Sequence, residues 1–291
     1  MTRPLDPPAA ALTFVLCVVW GFNQVFAKLA LADIGPIAQT GIRSALGVAC
    51  VVAYALAARR RVFVLDGTEA MGALVGVLFT AEFIALYESL RFTTAARATV
   101  FIYAAPFFVA LGAAFILRNE QLRPIQWLGL ALAFLGVVVG LMGKAAGGGV
   151  FGDGLALLAA ALWAATTILI RATRLKSIDP AKVLLYQIVA AALLSPLAAL
   201  ALGEPAPAHL SATTVAVLLW QGIAVVAVSY VLWFWLLANF AAAQLSAFTF
   251  LTPLVGVFAG WLVFGEQVTA GFAAAIVLVL AGLALVTWPR R

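Results

Sequence analysis

Two ionisable residues of opposite charge lie inside long apolar stretches. Arg43 occurs in "TGIRSALGVA" and Glu82 in "LFTAEFIAL". A charge within an apolar span is costly, so each side chain needs a partner, a water-filled cavity or a ligand. Three roles remain open for Glu82: a structural ion pair with Arg43, binding of the ammonium group of a small molecule, or uptake of a proton in response to a proton gradient.

Two tryptophans lie near the middle of apolar spans, although tryptophan usually prefers the membrane interface. Gln24 follows Trp20 by one helical turn, and Thr167 follows Trp163 by the same spacing. An aromatic ring beside a polar group suits a cavity for an amphipathic solute. The alternative is that both tryptophans are bulky packing residues between two halves of the protein.

Further aromatic and polar side chains complete the candidate site. Rings can enclose an apolar solute, while a tyrosine hydroxyl or the Asn23 amide fixes the polar end of the solute. The predicted substrate-binding residues are Trp20, Asn23, Gln24, Glu82, Tyr103, Trp163, Thr167 and Tyr230.

Two prolines interrupt predicted spans at equivalent places. Pro106 and Pro253 each remove a backbone donor and are expected to bend their helices. Because the pair recurs in both halves, we predict a gating hinge at each one. A static bend, which membrane helices tolerate, is the alternative.

The elements that position these residues follow from composition. The chain has 291 residues, of which 66% are hydrophobic and 10% charged, whereas soluble domains carry about a quarter charged residues. Apolar runs of about 20 residues predict membrane-spanning helices, so the expected fold is an all-α integral membrane protein. The ten predicted spans are 9–31, 36–57, 69–90, 97–117, 124–142, 151–172, 181–202, 213–237, 244–264 and 268–288.

The chain repeats itself about half its length apart. "YAAPFFVALGAAFILRNEQL", from Tyr103 to Leu122, is matched by "FLTPLVGVFAGWLVFGEQV", from Phe250 to Val268. We therefore predict two five-helix repeats, residues 1–145 and 146–291. An odd number of spans per repeat inverts one repeat relative to the other, as in secondary transporters that work by alternating access.

These paired segments, with a basic residue eight positions after each mid-span tryptophan, resemble the two EamA-type domains of the drug/metabolite transporter superfamily. The chain looks most like the YddG-type amino-acid exporters. The resemblance implies ten helices, a bacterial-type inner membrane, and export of amino acids, especially aromatic ones, or of related metabolites and drugs. The alternatives are a drug or lipophilic-cation exporter, a flippase for a lipid-linked intermediate, and a channel-like facilitator.

The basic residues predict the orientation. With the N-terminus in the cytoplasm, twelve of the 17 Lys and Arg residues fall on the cytoplasmic side, which favours cytoplasmic location of both termini. The net charge of +6 is therefore a topology signal, and we expect no nucleic-acid partner.

Several kinds of chemistry have no sequence support. The chain lacks a Gly-x-x-x-x-Gly-Lys-Ser/Thr phosphate-binding motif, and it contains one His and two Cys. We expect no enzyme activity, no cofactor and no metal site. The expected partners are a small-molecule substrate and membrane lipids. The chain is expected to be a monomer, and Gly-x-x-x-Gly patterns leave a homodimer open.

Overall fold

The computed structural model describes residues 6–116, 123–142, 149–207, 209–240, 245, 249 and 251–286, and every regular element within them is a helix. Glu120 and Phe250, which belong to the repeated segments, lie outside the described residues. The helices are α1 (Pro7–Ala30), α2 (Pro36–Ala57), α3 (Glu69–Ser89), α4 (Ala95–Ile102), α5 (Ala105–Ile116), α6 (Pro124–Met142), α7 (Val150–Ala172), α8 (Pro180–Ala201), α9 (Ala212–Leu219), α10 (Tyr230–Asn239), α11 (Leu251–Phe264) and α12 (Ala270–Val286).

Helix starts are encoded locally. Helices α1, α2 and α8 each begin with a proline in the first turn, where the missing N–H group costs nothing. The Asp6 side chain caps α1 by accepting from the Ala9 amide at 2.9 Å. Asp179 caps α8 in the same way, accepting from the Ala181 amide at 2.9 Å.

Seven helical segments of the described chain are long and apolar enough to cross a membrane. They are Pro7–Ala30, Pro36–Ala57, Glu69–Ser89, Ala95–Gly112, Val150–Ala172, Pro180–Ala201 and Ala212–Trp233. Shorter apolar helices lie at Pro124–Gly140, Leu251–Phe264 and Ala270–Leu285. Nine of the predicted spans coincide with these segments to within a few residues, and the span 244–264 is described as a continuous helix from Leu251 onwards.

Two spans differ from simple α-helices. The predicted span 97–117 is divided by a turn at Tyr103 and Ala104 into α4 and α5. The predicted span 213–237 contains a π-helical stretch, Trp220–Ser229, between α9 and α10. Long π segments are rare and often mark functional sites, and the apolar pattern gives no sign of this one.

Helices from the two halves of the chain pack closely against each other. Helix α2 packs on α8, α3 packs on α7 and α8, α6 on α12, and α1 on α11. Small residues allow this approach: a side chain at Gly76 would overlap Ala190 and the Tyr186 backbone of α8. Similarly, Gly136 lies against Val279 of α12.

Loops meet at two ends of the bundle. The Glu266 end is the end at which residues 31–35, 90–94, 202–207, 209–211 and 265–269 lie. The Arg60 end is the end formed by residues 58–68 and 173–179. Helix α1 finishes at the Glu266 end, where α7 begins. Helix α2 begins at the Glu266 end, whereas α8 begins at the Arg60 end. Helix α1 therefore runs opposite to α7, and α2 runs opposite to α8.

Candidate functional site

Arg43 of α2 is the largest fully buried side chain among the described residues, with 1% of its surface exposed. Its Nη1 atom donates to the Tyr87 hydroxyl at 2.5 Å, and its guanidinium lies 3.9 Å from the Phe83 ring centroid. The Nε and Nη2 atoms have no hydrogen-bond partner among the described residues. A buried guanidinium with two free donors can bind a carboxylate in a forked geometry.

Glu82 of α3 is 5% exposed, and its neighbours in electrostatic range include Arg43 and Tyr230. Within the described part of the chain, no nitrogen of Arg43 lies within 4.0 Å of a Glu82 oxygen. The two side chains are thus within electrostatic range of each other but form no ion pair. Each charge is left with unused bonding capacity that a ligand can satisfy.

Tyr103, Trp163 and Tyr230 lie around one apolar core cluster. Tyr103, in the turn between α4 and α5, meets Trp163 of α7 edge to face with ring centroids 5.9 Å apart. Tyr103 and Tyr230 are in electrostatic range of each other. Since Tyr230 is also in range of Glu82, the structure links four of the predicted residues around one region between the halves.

Trp20 belongs to a different apolar cluster, with Leu236 and Phe240. Its indole Nε1 donates to the Ser229 hydroxyl at 2.8 Å, and its ring meets Trp233 with centroids 5.4 Å apart. The two predicted tryptophans therefore both contact the opposite half of the chain, but through separate clusters.

The remaining predicted polar residues differ in how their groups are satisfied. Asn23 and Gln24 are buried, and their side-chain carbonyl oxygens have no partner among the described residues. The Thr167 hydroxyl instead donates to the Trp163 carbonyl of its own helix at 2.9 Å. Thr167 is thus occupied locally, whereas the two amides remain able to bind a ligand.

The two predicted hinge prolines lie in different local settings. Pro106 is the second residue of α5, directly after the turn that follows α4. Pro253 lies within the described helix α11, Leu251–Phe264. At Pro106 the missing N–H group removes the bond that a continuous helix would make to the Ile102 carbonyl, which explains the break.

Several polar ties between the halves were not predicted from the sequence. Gly265 has a φ of 64° and ends α11, as glycine commonly does in the left-handed region. The turn directs the Glu266 carboxylate onto the start of α4, where it accepts from the amides of Ala95 and Ala96 at 2.8 Å each. Lys28 Nζ lies 3.4 Å from the same carboxylate.

A second tie at the Glu266 end is a buried ion pair. Arg97 donates through Nε to Asp153 at 3.0 and 3.2 Å and pairs with the same carboxylate through Nη2. Thr93 also donates to Asp153, at 2.7 Å. The "GEQV" motif and an acid in the first turn of α7 were the only sequence signals for these ties.

One described pocket opens at the Glu266 end, away from every predicted substrate-binding residue. It lies between the α1–α2 and α8–α9 connections. Its lining residues are Leu31, Ala32, Asp33, Ile34, Gly35, Pro36, Arg91, Glu204, Pro205, Ala206 and Pro207.

Comparisons with known proteins agree with this architecture. A "Probable amino-acid metabolite efflux pump" of Salmonella typhimurium (strain LT2) is 28% identical over 94% of this chain and 92% of the relative. The "Uncharacterized transporter YoaV" of Bacillus subtilis (strain 168) is 23% identical over 93% of this chain and 94% of the relative. A solved crystal structure has the same fold, with a TM-score of 0.69 at 22% identity over 96% of this chain and 95% of that chain.

The family model gives the strongest result because it matches twice and covers nearly the whole chain. The EamA-like transporter family model matches residues 7–142 and again residues 150–288. The family and the relatives are transporters rather than enzymes. The chain belongs to the EamA-like transporter family, within the drug/metabolite transporter superfamily, and is a multi-pass membrane transporter.

Proposed function

We propose that this transporter exports small amphipathic metabolites, foremost amino acids with aromatic or hydrophobic side chains, by alternating access. The observation that carries the proposal is the buried pair of opposite, incompletely bonded charges, Arg43 and Glu82, beside the aromatic groups of Tyr103, Trp163 and Tyr230. Similarity to a relative named as a probable amino-acid metabolite efflux pump supports the same substrate class. The resemblance of the repeated segments to YddG-type exporters favours aromatic members.

The proposed mechanism depends on two inverted five-helix repeats, residues 1–145 and 146–291, with ten spans in total. Support comes from the double match of the family model and from the opposite directions of α1 and α7 and of α2 and α8. Inverted repeats can exchange conformations, which closes one side of the membrane and opens the other.

Within this mechanism, the substrate lies between the halves and the two prolines act as hinges. The break before Pro106 supports a hinge there, since α4 and α5 are already separate helices. Pro253 is the proposed counterpart. The proposed substrate-binding residues are Trp20, Asn23, Gln24, Glu82, Tyr103, Trp163, Thr167 and Tyr230.

We place the transporter in a bacterial-type inner membrane as a monomer with both termini in the cytoplasm. The distribution of Lys and Arg residues supports this orientation. The close glycine contacts of α3 with α8 and of α6 with α12 are made within one chain, which supports the monomer. Labelling of single cysteines at positions 61 and 203 from each side of the membrane tests the orientation.

One observation favours a second candidate, an exporter of lipophilic cations. A buried carboxylate without an ion pair, as at Glu82, is also a suitable partner for an organic cation. Under this alternative Arg43 plays no part in binding, and an amine without a carboxylate is the better substrate.

The deciding experiment is counterflow in proteoliposomes that contain the purified protein and a panel of radiolabelled amino acids. We expect saturable exchange of phenylalanine, tryptophan or leucine. Exchange of lipophilic cations without exchange of any amino acid would select the alternative. An imposed pH gradient that leaves the accumulation ratio unchanged excludes proton coupling through Glu82.

A further inference from the structure

We propose that Arg43 and Glu82 form a zwitterion site, in which Arg43 binds the carboxylate and Glu82 the ammonium group of one α-amino acid. This inference rests on the proposed function, because it defines which part of an amphipathic solute the transporter recognises. It also assigns a substrate-binding role to Arg43.

The first argument is the bonding state of Arg43. One nitrogen, Nη1, is bonded to the Tyr87 hydroxyl, while Nε and Nη2 have no partner among the residues that the structure describes. These two donors lie on one edge of the planar guanidinium. That edge is the one that binds both oxygens of a carboxylate at once.

The second argument is that Arg43 is held in place before any ligand arrives. The Phe83 ring lies 3.9 Å from the guanidinium carbon and the Tyr87 ring 5.4 Å from it. Phe83 and Tyr87 in turn meet edge to face with centroids 5.8 Å apart. A rigid donor loses little conformational freedom on binding, so more of the interaction contributes to affinity.

The third argument is the relation of Glu82 to Arg43. Arg43 is the eighth residue of α2, and Glu82 is the eighth residue from the end of α3. Both are therefore about 10–12 Å from the Glu266 end at 1.5 Å per residue. The structure brings the two charges to a common depth, yet Arg43 is bonded to Tyr87 rather than to Glu82.

A zwitterion satisfies both charges together, whereas a singly charged analogue leaves one of them unpaired. Leaving a buried charge unpaired is strongly unfavourable. The site should therefore reject an amine that lacks the carboxylate charge and an acid that lacks the ammonium charge. This double requirement distinguishes the zwitterion site from a site for lipophilic cations.

The helices around Arg43 contain further unused polar groups. Gln39 and Ser44 on α2, and Gln221 in the π segment, are buried and have side-chain atoms without a partner among the described residues. Gly222 lies against Leu46 and the Arg43 carbonyl, so a side chain there would overlap α2. The π segment thus approaches α2 closely at the depth of Arg43.

The test is competition against phenylalanine counterflow in proteoliposomes. The competitors are unlabelled phenylalanine, its methyl ester, which lacks the carboxylate charge, and 3-phenylpropionate, which lacks the ammonium group. We expect each analogue to compete at least about 100-fold more weakly than phenylalanine, because a site built to bind a polar group strongly rejects a ligand that lacks it. Equal competition by the ester overturns the role of Arg43, and equal competition by 3-phenylpropionate overturns the role of Glu82.

Variants of Arg43 and Glu82 show which side chain is responsible for each preference. Arg43→Gln should weaken phenylalanine binding and abolish the preference for phenylalanine over its ester, while Arg43→Lys should restore part of that preference. Glu82→Gln should abolish the preference over 3-phenylpropionate only. Arg61→Gln, at an exposed arginine in the α2–α3 connection, is the matched control and should keep both preferences.

The competition series uses only the wild-type protein and therefore does not depend on whether any variant folds. By itself it decides whether the site requires both charged groups of the amino acid. If the wild-type protein exchanges phenylalanine but binds an analogue that lacks one charged group equally well, the zwitterion site is refuted. The proposal of amino-acid transport is then unaffected. A wild-type protein that exchanges no amino acid refutes both proposals.

Discussion

Glu266 and Ala95 are 171 residues apart and belong to different halves of the chain, yet the Glu266 carboxylate accepts a 2.8 Å hydrogen bond from the Ala95 amide. The other carboxylate oxygen accepts from the Ala96 amide at the same distance. A carboxylate at the start of α4 satisfies amides that have no partner within the helix and is favoured by the helix dipole. One side chain thereby fastens the connection between α11 and α12 to α4.

Replacing the Glu266 carboxylate should lower the stability of the protein at the Glu266 end. Glu266→Ala should cost about 1–2 kcal/mol, the usual loss for a helix N-terminal cap, measured as a lower Tm of the purified protein in detergent. Glu88→Ala is the control, because Glu88 pairs with Arg91 at the protein surface, where ion pairs contribute about 0–1 kcal/mol. An equal loss in both variants would contradict a capping role for Glu266.

Substitution in the buried ion pair of Arg97 and Asp153 should lower the stability of the protein much more than Glu266→Ala does. Asp153→Asn leaves the Arg97 guanidinium, whose side chain is 5% exposed, without its counter-charge. We expect a loss of about 3–5 kcal/mol, since an unpaired buried charge is strongly destabilising. Thermal unfolding in detergent measures it.

The double variant Arg97→Met/Asp153→Leu provides the internal control. Because it removes both charges, it should be more stable than Asp153→Asn alone. A double variant that is less stable than the single variant would show that the pair stabilises by more than mutual neutralisation.

The turn between α4 and α5 should be needed for transport rather than for stability. Pro106→Ala restores the N–H donor to the Ile102 carbonyl and favours a continuous helix. We expect an equal or higher Tm and a transport rate lowered by roughly tenfold, equivalent to ~1.4 kcal/mol of barrier. Pro196→Ala, inside the continuous helix α8, is the matched control and should transport normally. Normal exchange by Pro106→Ala would argue for a static bend.

Trp163 should contribute to substrate affinity. Trp163→Ala removes its contact with Tyr103, and we expect a rise in apparent KM of about threefold to tenfold, which corresponds to an aromatic pair of about 0.5–1.5 kcal/mol. Trp261→Ala is the control, because Trp261 is 56% exposed on the outside of α11. Unchanged affinity in Trp163→Ala would remove Trp163 from the site.

The stability of the Glu266 end should depend on pH through Asp33. Hydrogen bonds from Ser211 and Thr214 lower the pKa of Asp33 from 3.8 to about 2. A lowered pKa in the folded protein means that the ionised form adds stability above about pH 4 and that this stability is lost as the pH falls through about 2. Asp33→Asn should therefore lower the Tm at pH 7, with a difference from wild type that shrinks between pH 4 and pH 2. A difference independent of pH would show that the charge is not involved.

The sequence by itself determined where the helices lie and that the chain is repeated. Apolar runs of helical length and proline or glycine at their ends are local properties, so nine of the predicted spans coincide with the observed helices to within a few residues. The span 244–264 is described as a continuous helix only from Leu251. The family resemblance followed from the repeated segments, and the family model agrees. The types of Glu82 and the aromatic residues also suggested candidate binding groups, whereas the sequence offered Arg43 only as an ion-pair partner for Glu82.

Only the tertiary structure decided which partners these residues have. It placed Trp20 against Trp233 and Trp163 against Tyr103, and it bonded Arg43 to Tyr87 rather than to Glu82. It also introduced the π segment and the tie made by Glu266. Each of these features depends on contacts between helices far apart in the chain, and the periodicity of a single helix carries no information about which neighbour will face it.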